Sequence, residues 1–582
     1  MLVSQTFIVG KDASLEASLA RMQARLSALG FHVEAQSWLN PVANVWSVHV
    51  RERDCPLLFT NGKGSSRDAA LASALGEFFE RLSTNYFWTH YWLGGTNANG
   101  PVTHFPDERW FPLRDDGTWP EGLLTPALRH HYDPDGDLDA EALVDLNSGN
   151  AARGICALPY VRERDGAQVW FPVNIIGNLY VSNGMSAGNT QAEARTQALS
   201  EIIERHVKFR VIAEGLCLPE VPEAMIVRHP RIAAGVNALR AAGFGVRVHD
   251  ASLGGKYPVM NVTLLNPADQ GCFASFGAHP RCEVALERAL TELLQGRALD
   301  ALGGFPPPGF DMDEVSQPQN LELHFVDSSG VVGWRFLADT PDFPFTAWDF
   351  IGSTTQEYAW LVERIQADGF DVYVADYTDL GMPACRILVP GMSEIYPVED
   401  LHWENNSVGN ALREPLLRLP ELDEEACAGL LGQLDALGLD DARPVAPLIG
   451  LAADPGSAWA ELRVGELKTL LALAVGDDEA VGEGCEWIRQ FGQLSPARRR
   501  VYDCLGSLRQ LVDPESYESA LVQLYGSDTL ALAKALLAGE LRFPGLHAPG
   551  PGLAHCDLHL SLLAAYDKRH HRSARQAAGV AV

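Results

Sequence analysis

Long apolar stretches are missing from the chain, and its cysteines are few and scattered. No apolar run of about 18 residues occurs among the 582 residues, so we expect no membrane-spanning helix. The first residues lack a basic segment followed by an apolar core, which predicts no export signal. The 10 cysteines stand singly, without a CxxC pair or zinc-ligand spacing. We therefore expect reduced, buried thiols in a cytoplasmic protein.

Positive charge is also scarce. The chain has 45 lysines and arginines against 75 aspartates and glutamates, which gives a net charge of −30 and a pI near 4.9. The field of such a protein repels phosphate, which excludes non-specific binding to nucleic acid or to anionic membranes. A ligand that contains phosphate would need metal ions and a few well-placed arginines to overcome this field locally.

Several common catalytic and metal-binding motifs are absent. The sequence contains no GxSxG and no HExxH. The segment GKGSS at 62–66 is not a Walker A loop, because a glycine follows Lys63 and no glycine precedes it at the required spacing. The acidic segment 133–141 does not fit a calcium loop, because its glycine is misplaced and the closing glutamate is missing.

One short phrase occurs twice, as ALGEFFER at 74–81 and as ALSEIIER at 198–205. Alanine, leucine and glutamate favour helix, and residues at i, i+3 and i+4 of a helix share one face. The faces defined in this way carry Glu77, Glu80 and Arg81, and Glu201, Glu204 and Arg205. If the two helices face each other, four carboxylates converge. Two such charges about 5 Å apart repel by roughly 3 kcal/mol, so the cluster needs cations, and oxygen ligands suit Mg²⁺.

A weaker third copy of the phrase supports this interpretation. Alanines lie three and seven residues before Glu77, before Glu201 and before Glu292. In the third copy Gly296 replaces the trailing arginine, while Arg288 lies one turn before the glutamate. Small alanines allow close helix packing, which could bring the acids together. A single copy would be explained by exposed Glu–Arg pairs worth roughly 0.3 kcal/mol each, but three copies in one frame favour a site.

The order of expected elements predicts an α+β core of mixed sheets. A unit of strand, glycine turn and acidic helix recurs three times, and the first acidic helix is expected to reach about residue 87. Residues 88–150, rich in proline, tryptophan and aspartate, are expected to form a surface excursion. The other expected elements are a helix at 7–30 and strands at 45–50, 57–60, 170–182, 259–266 and 272–279.

The composition changes after about residue 415, where leucine and alanine dominate. We therefore divide the chain into a core of residues 1–415 and an all-α domain of residues 416–582. The helices expected there lie at 458–475, 479–492, 496–512 and 515–538. Helix pairs of this length are similar to a tetratricopeptide-type stack, which would dock another protein or form a homodimer.

Longer segments of the chain resemble the YcaO family, in its free-standing enterobacterial type with a helical C-terminal extension. The resemblance covers essentially the whole chain, and its motifs are long and ordered. It implies a YcaO-type core that binds ATP with Mg²⁺ in a fold unrelated to Walker-type enzymes. The segments that carry it are FIVGKDASLEASLARMQ, NPVANVWSVHV, FTNGKGSSRDAALASALGEFFERLS, NIIGNLYVSNGMSAGNTQAEARTQALSEIIER, FASFGAHPRCEVALERALTELLQGR and ACRILVPGMSEIYP.

The resemblance also implies roles for particular residues. The acids expected to bind the metal are Glu77, Glu80, Glu201 and Glu204, with Glu292 as a further contributor. The residues expected to hold the nucleotide are Lys11, Ser18, Arg81, Asn189, Glu193, Arg205 and Arg288. The residues expected to serve catalysis are Glu80, Glu204, Arg205 and Arg288.

The chemistry implied by the resemblance is ATP-dependent activation of an amide or a related group. Free-standing members are associated with β-methylthiolation of an aspartate in a small-subunit ribosomal protein, as accessory factors of the radical enzyme RimO. No iron–sulfur ligand set occurs here, so the radical chemistry would belong to the partner. A stand-alone azoline or thioamide synthetase is disfavoured, because the chain ends RQAAGVAV rather than in PxPxP. The third alternative is that the protein is a non-catalytic scaffold that senses nucleotide.

Overall fold

The computed structural model describes residues 5–577, with side chains described for residues 5–570. The strands are β1 Val33–Val42, β2 Val45–Glu52, β3 Phe59–Gly64, β4 Arg109–Phe111, β5 Ile155–Arg162, β6 Gln168–Pro172, β7 Met185–Ala187, β8 Gly245–Asp250, β9 Val259–Leu265, β10 Cys272–Ala278, β11 Tyr373–Tyr377 and β12 Ala384–Leu388.

The helices of the first part of the chain are α1 Leu15–Leu29, α2 Arg67–Ser83, α3 Gly94–Ala98, α4 Pro126–Tyr132, α5 Val173–Ile175, α6 Gln191–Glu214, α7 Glu223–Ile226, α8 Pro230–Ala241, α9 Cys282–Leu293, α10 Met312–Val315, α11 Pro318–Val326, α12 Thr354–Ala367 and α13 Asp400–Trp403. Those of the last part are α14 Val408–Leu417, α15 Glu424–Leu437, α16 Val445–Leu448, α17 Ala458–Glu461, α18 Val464–Val475, α19 Asp478–Phe491, α20 Pro496–Gln510, α21 Glu518–Tyr525, α22 Ser527–Leu537 and α23 Asp557–Ala577.

The strands form three antiparallel sheets. Two small sheets have the orders β1-β2-β3 and β10-β9-β8. Edge strand β3 leads into acidic helix α2, and edge strand β10 leads into acidic helix α9. The central sheet has the order β4-β5-β11-β12-β7, with β6 also paired to β5. Its edge strand β7 leads into the second acidic helix, α6. The predicted threefold repeat of strand and acidic helix in a mixed α+β core is therefore confirmed.

Three predicted boundaries are wrong, each for a local reason. The first helix begins at Leu15 rather than near residue 7, because Ser14 caps it by accepting a hydrogen bond from the amide of Ala17. The first acidic helix ends at Ser83, and Asn85 then takes a left-handed φ of 57°. The predicted strand at 170–182 ends at Pro172 and continues as a helix, since its apolar residues do not alternate and Asn174 and Asn178 are spaced as on one helical face.

The alanine stripes pack on strands rather than between helices. A Cβ placed on Gly62 of β3 would lie 2.0 Å from the carbonyl oxygen of Ala70. A Cβ on Gly277 of β10 would lie 2.4 Å from the carbonyl oxygen of Ala285, at the equivalent place in the third unit. Glycine and alanine together allow each helix to lie directly on its strand, and the expectation of alanine-mediated helix pairing is wrong.

The C-terminal part is all-helical, as expected, and its leucines form one large buried cluster. The helix predicted at 458–475 is interrupted after Glu461, where Arg463 forms a bridge with Pro444. Helix α14 runs across the boundary drawn at 415, so the two parts share a continuous helix. The likeness to a tetratricopeptide stack stays a prediction.

The last helix, α23, returns to the N-terminal part of the molecule. Leu562 and Tyr566 belong to the same buried cluster as Phe78 and Phe79 of α2. The indole nitrogen of Trp88 donates to the carbonyl oxygen of Leu562 at 3.0 Å. The helix that carries the first pair of site acids is therefore packed from behind by the C-terminal helix.

Candidate active site

Four ion pairs organise the acidic face of the three helices. Two link i and i+4 on one helix: Arg81 to Glu77 at 2.5 Å and Arg205 to Glu201 at 2.8 Å. The other two join different elements: Arg288 of α9 to Glu204 of α6 at 3.4 Å, and Lys63 of β3 to Glu292 of α9. The three units thus meet at one charged surface, with the acids of the repeated phrase at its centre.

Glu80 is the acid without a cationic partner in this surface. No lysine or arginine nitrogen of the described residues forms an ion pair with it. Burial, and then the carboxylates of Glu201 and Glu77, raise the pKa of Glu80 well above its usual value. Burial likewise raises the pKa of Glu201, against the opposing effect of Arg205. A positive charge added beside them would favour the ionised form of both acids, and carboxylate oxygens are ligands that Mg²⁺ prefers.

The carboxylates are not drawn together into a tight cluster. Within residues 5–570, three ligand atoms come within 4.8 Å of one another only at Asp133, Asp137 and His402, far from the repeated phrase. Arginines pair individually with Glu77, Glu201 and Glu204 instead, and Lys63 pairs with Glu292, because like charges repel. The residues fit the cation by charge and ligand type.

Lys63 belongs to this surface and was not predicted. Its side chain lies within the field of Glu204, Glu77 and Glu201 as well as against Glu292. Burial, and then the neighbouring Arg288, lower the pKa of Lys63 to about 8 despite those acids. Lys63 lies in GKGSS, directly before the first acidic helix. This position beside the repeated phrase could have indicated that the lysine belongs to the site.

A second, connected network beside the acids contains four of the residues expected to hold the nucleotide: Lys11, Ser18, Asn189 and Glu193. The other three, Arg81, Arg205 and Arg288, lie on the acidic face. Ser18 Oγ donates to Asn189 Oδ1 at 2.8 Å, and Asn189 Nδ2 donates to Glu193 Oε2 at 3.1 Å. Lys11 Nζ lies 3.3 Å from Glu193 Oε1. The loop before α1 is thereby fastened to the first turn of α6, where Thr190 caps the helix by accepting from the amide of Glu193.

Two further residues of this network went unpredicted. Arg21 lies one turn after Ser18 on the same helical face and donates to Asn189 Oδ1 at 3.0 Å. His279 follows β10 directly, and its ring lies against Gly10, where a Cβ would be 3.1 Å from the imidazole. Burial, and then Arg288 and Lys11, lower the pKa of His279 well below its usual value, so the ring is neutral.

The cysteines take no part in this site. All 10 are free and buried, as predicted. Burial raises the pKa of Cys272 to about 12 and that of Cys385 well above its usual value, which keeps the thiols protonated.

None of the described helices is long and apolar enough to cross a bilayer.

Comparison with known proteins identifies the family. The family described as "YcaO cyclodehydratase, ATP- and Mg²⁺-binding" matches residues 61–393, which include the three acidic helices. The family described as "YcaO cyclodehydratase C-terminal domain" matches residues 409–576. The chain belongs to the YcaO family, a family of ATP- and Mg²⁺-binding proteins.

Relatives match the chain over nearly its full length. The chain is 52% identical to the Escherichia coli "Ribosomal protein S12 methylthiotransferase accessory factor YcaO", over 97% of this chain and 98% of that protein. It is 49% identical to an uncharacterized protein of Haemophilus influenzae, over 97% of this chain and 98% of that protein. The predicted family and its free-standing form are confirmed.

Solved structures that the comparison matches to this chain include a YcaO protein from Methanopyrus kandleri bound with AMPPCP and Mg²⁺. It is 22% identical, covers 66% of this chain and 94% of its own, and has a TM-score of 0.41. A heterocyclase in complex with substrate and cofactor has a TM-score of 0.45 at 18% identity, over 69% of this chain and 56% of its own.

Proposed function

We propose that this protein binds ATP through Mg²⁺ at the acidic face and uses it to assist modification of a ribosomal protein. The observation that carries the proposal is Glu80, an acid without a cationic partner among acids whose other members are already paired. An added divalent cation would neutralise Glu80 and Glu201 together. The family to which the chain belongs, described as binding ATP and Mg²⁺, supports the same assignment.

Each part of the surface has a distinct role in this proposal. The acids proposed to hold Mg²⁺ are Glu77, Glu80, Glu201 and Glu204, with Glu292 as a further contributor. The residues proposed to hold the nucleotide are Lys11, Ser18, Asn189 and Glu193. The arginines proposed to neutralise negative charge on the transferred phosphoryl group are Arg81, Arg205 and Arg288. When bound, Mg²⁺ would screen the phosphates of ATP from the acids.

The first experiment is calorimetric titration of ATP, with and without Mg²⁺, into the wild type and the Glu201→Gln variant. We expect binding that depends on Mg²⁺ and that weakens at least about tenfold in the variant, because one ligand carboxylate is lost. Glu214→Gln is the matched control: it removes an i,i+4 Glu–Arg pair, at 2.9 Å, from the same helix outside the site. Equal loss in both variants would point to helix damage rather than to a ligand role.

The process that ATP serves is proposed from the name of the E. coli relative. We assign to the chain an accessory role, with RimO, in β-methylthiolation of an aspartate of ribosomal protein S12, coupled to ATP hydrolysis. Reconstitution with RimO and S12 tests this: methylthiolated S12 and released phosphate should both fall in Glu201→Gln. If methylthiolation persists while phosphate release is lost, the nucleotide-sensing scaffold becomes the better account.

A stand-alone azoline or thioamide synthetase is the second catalytic candidate. It predicts loss of water or gain of sulfur in a peptide in the absence of RimO, which mass spectrometry would detect. Self-association of the helical part also stays a prediction, and sedimentation of the full chain tests it. A truncation at residue 415 is unsuitable for that purpose, because it removes α23 from the core cluster.

A further inference from the structure

A cavity lies between the residues that follow α2, Thr84 and Asn85, and the central sheet, which contributes Tyr160, Tyr377 and Arg386. Its volume is about 40 Å³, room for roughly three water molecules. The cavity is lined mainly by aromatic and aliphatic side chains. The polar residues among its walls include Asn85, His104, Tyr160, Tyr377, Arg386 and Tyr566.

Arg386 brings an uncompensated positive charge to this cavity. Its side chain is 4% exposed, and no carboxylate of the described residues lies within ion-pair distance. All its hydrogen bonds come from Nη2, which donates to the carbonyl oxygens of Ile176, at 3.3 Å, and Val181. Nε is buried and has no acceptor. A buried guanidinium without a counter-charge is costly, so its surroundings should supply an anion.

A second buried arginine provides a comparison, because both its Nε and its Nη2 have acceptors. Arg413 is 6% exposed and also lacks a carboxylate partner. Its Nε donates to Ile449 at 2.9 Å, and its Nη2 donates to Leu146 at 2.7 Å and to Asn410 at 3.0 Å. Carbonyl and amide oxygens thus accept its hydrogens. Burial therefore does not by itself leave Nε without an acceptor. Nε is also unpartnered in Arg51, Arg81, Arg288, Arg364 and Arg499, but among these six arginines only Arg386 lines the cavity.

The hydroxyls of Tyr160 and Tyr377 in the cavity are neutral, so together with Arg386 they suit an anion with a single negative charge. Burial raises the pKa of Tyr160 to about 12, so its hydroxyl is neutral and can donate a hydrogen bond. Tyr377, whose pKa burial also raises, presents a second neutral hydroxyl. The backbone beside Arg386 is unusual: residues Ile176–Tyr180 form a π-helix, and Val181 has a φ of 49°. Such backbone often marks a functional position.

We infer that Arg386 and the hydroxyls of Tyr160 and Tyr377 bind a small monovalent anion of halide size in this cavity. One guanidinium balances one charge, and a volume of this size suits a small ion. The site does not include the residues of the acidic face. Two of its lining residues, Thr84 and Asn85, follow directly after the end of α2. The inference does not depend on the proposed function.

Diffraction from crystals grown in sodium bromide tests the inference directly. We expect an anomalous bromide peak within hydrogen-bonding distance of Arg386 Nε, and none in crystals of Arg386→Met. Ordered water alone in the wild-type cavity, with no anomalous signal in bromide, would overturn the inference.

Thermal unfolding gives an independent test on the full chain in solution. At equal ionic strength, sodium chloride should raise the melting temperature above that in sodium gluconate by about 2 °C and in a saturable manner. Arg413→Met should keep this chloride increment, and Arg386→Met should lose it. If Arg386→Met does not fold, Tyr160→Phe should raise the half-saturating chloride concentration about threefold or more. Equal curves in the two salts for the wild type would contradict the inference.

Discussion

At the scale of single residues, the chain places ionisable groups where burial and neighbouring charge set their state. Burial raises the pKa of both Glu80 and Glu201, so a cation beside them would favour their ionised form. Arginines pair with Glu77, Glu201 and Glu204. Lys63 lies at the same surface and ties the first unit to Glu292 of the third. The acidic face therefore combines groups that attract a cation with groups that attract phosphate.

His559 illustrates a buried residue whose protonation affects stability. Its Nδ1 accepts from the amide of Ala452 at 2.9 Å, and its Nε2 faces the carbonyl oxygen of Trp92 at 2.8 Å. Both contacts suit one neutral tautomer, since the cation would present a second hydrogen to an amide. Burial lowers the pKa of His559 from 6.5 to about 4.

The first prediction concerns the pH dependence that follows. Between pH 6.5 and 4, His559 is protonated in the unfolded chain but remains neutral in the folded chain. The free energy of unfolding therefore falls as pH falls. We expect His559→Asn to remove about 1–3 kcal/mol of this decrease, as measured by urea unfolding at several pH values. The exposed His130→Asn should keep the wild-type profile; an unchanged profile in His559→Asn would contradict the assignment.

At the scale of elements, the position of the acidic helices depends on direct contact with glycine in the strands. The carbonyl of Ala70 lies where a side chain at Gly62 would begin, and the third unit repeats this contact at Gly277. The i, i+3, i+4 pattern then turns the acids of each helix away from its strand. The glycines thus determine how far the acids stand from the sheets.

The second prediction compares two glycines within one unit. We expect Gly62→Ala to lower the free energy of unfolding by about 2–3 kcal/mol, because the new Cβ overlaps the backbone of α2. Gly76→Ala, on α2 itself, meets no atom within 4 Å and should raise it by about 0.5–1 kcal/mol through helix propensity. Chemical denaturation measures both. Similar effects of the two substitutions would show that α2 does not lie against β3 this closely.

At the scale of the whole molecule, the two matched parts of the chain fold as one unit. Helix α14 spans the boundary drawn from composition, and α23 brings Leu562 into the cluster behind α2. A further link is Tyr566, whose hydroxyl donates to the carbonyl oxygen of Thr103. The helical part therefore supports the helix that carries Glu77 and Glu80.

The third prediction tests this coupling between the parts. Leu562 is fully buried, so Leu562→Ala should lower the free energy of unfolding by about 2–4 kcal/mol and shift the unfolding of the N-terminal core. Leu560, on the same helix, is 41% exposed, and Leu560→Ala should change stability by less than about 0.5 kcal/mol. Tryptophan fluorescence during urea unfolding reports the change. Early, separate melting of the C-terminal part would contradict the coupling.

The sequence by itself determined the local features of this protein. Helical spacing placed Glu77 with Glu80 and Glu201 with Glu204 on common faces, since a helix fixes which neighbours share a side. Repetition in one frame identified three equivalent units, and long motifs identified the family. Strand and helix were confused after Pro172, because a short, mostly apolar run fits either element.

The tertiary structure decided what depends on contacts between distant segments. Lys63 with Glu292, His279 with Gly10, and the return of α23 to α2 join residues far apart in the chain. No local periodicity encodes such pairings. The free Nε of Arg386 likewise emerges only when the central sheet, the π-helix and the end of α2 close around it, because burial is a property of the assembled fold.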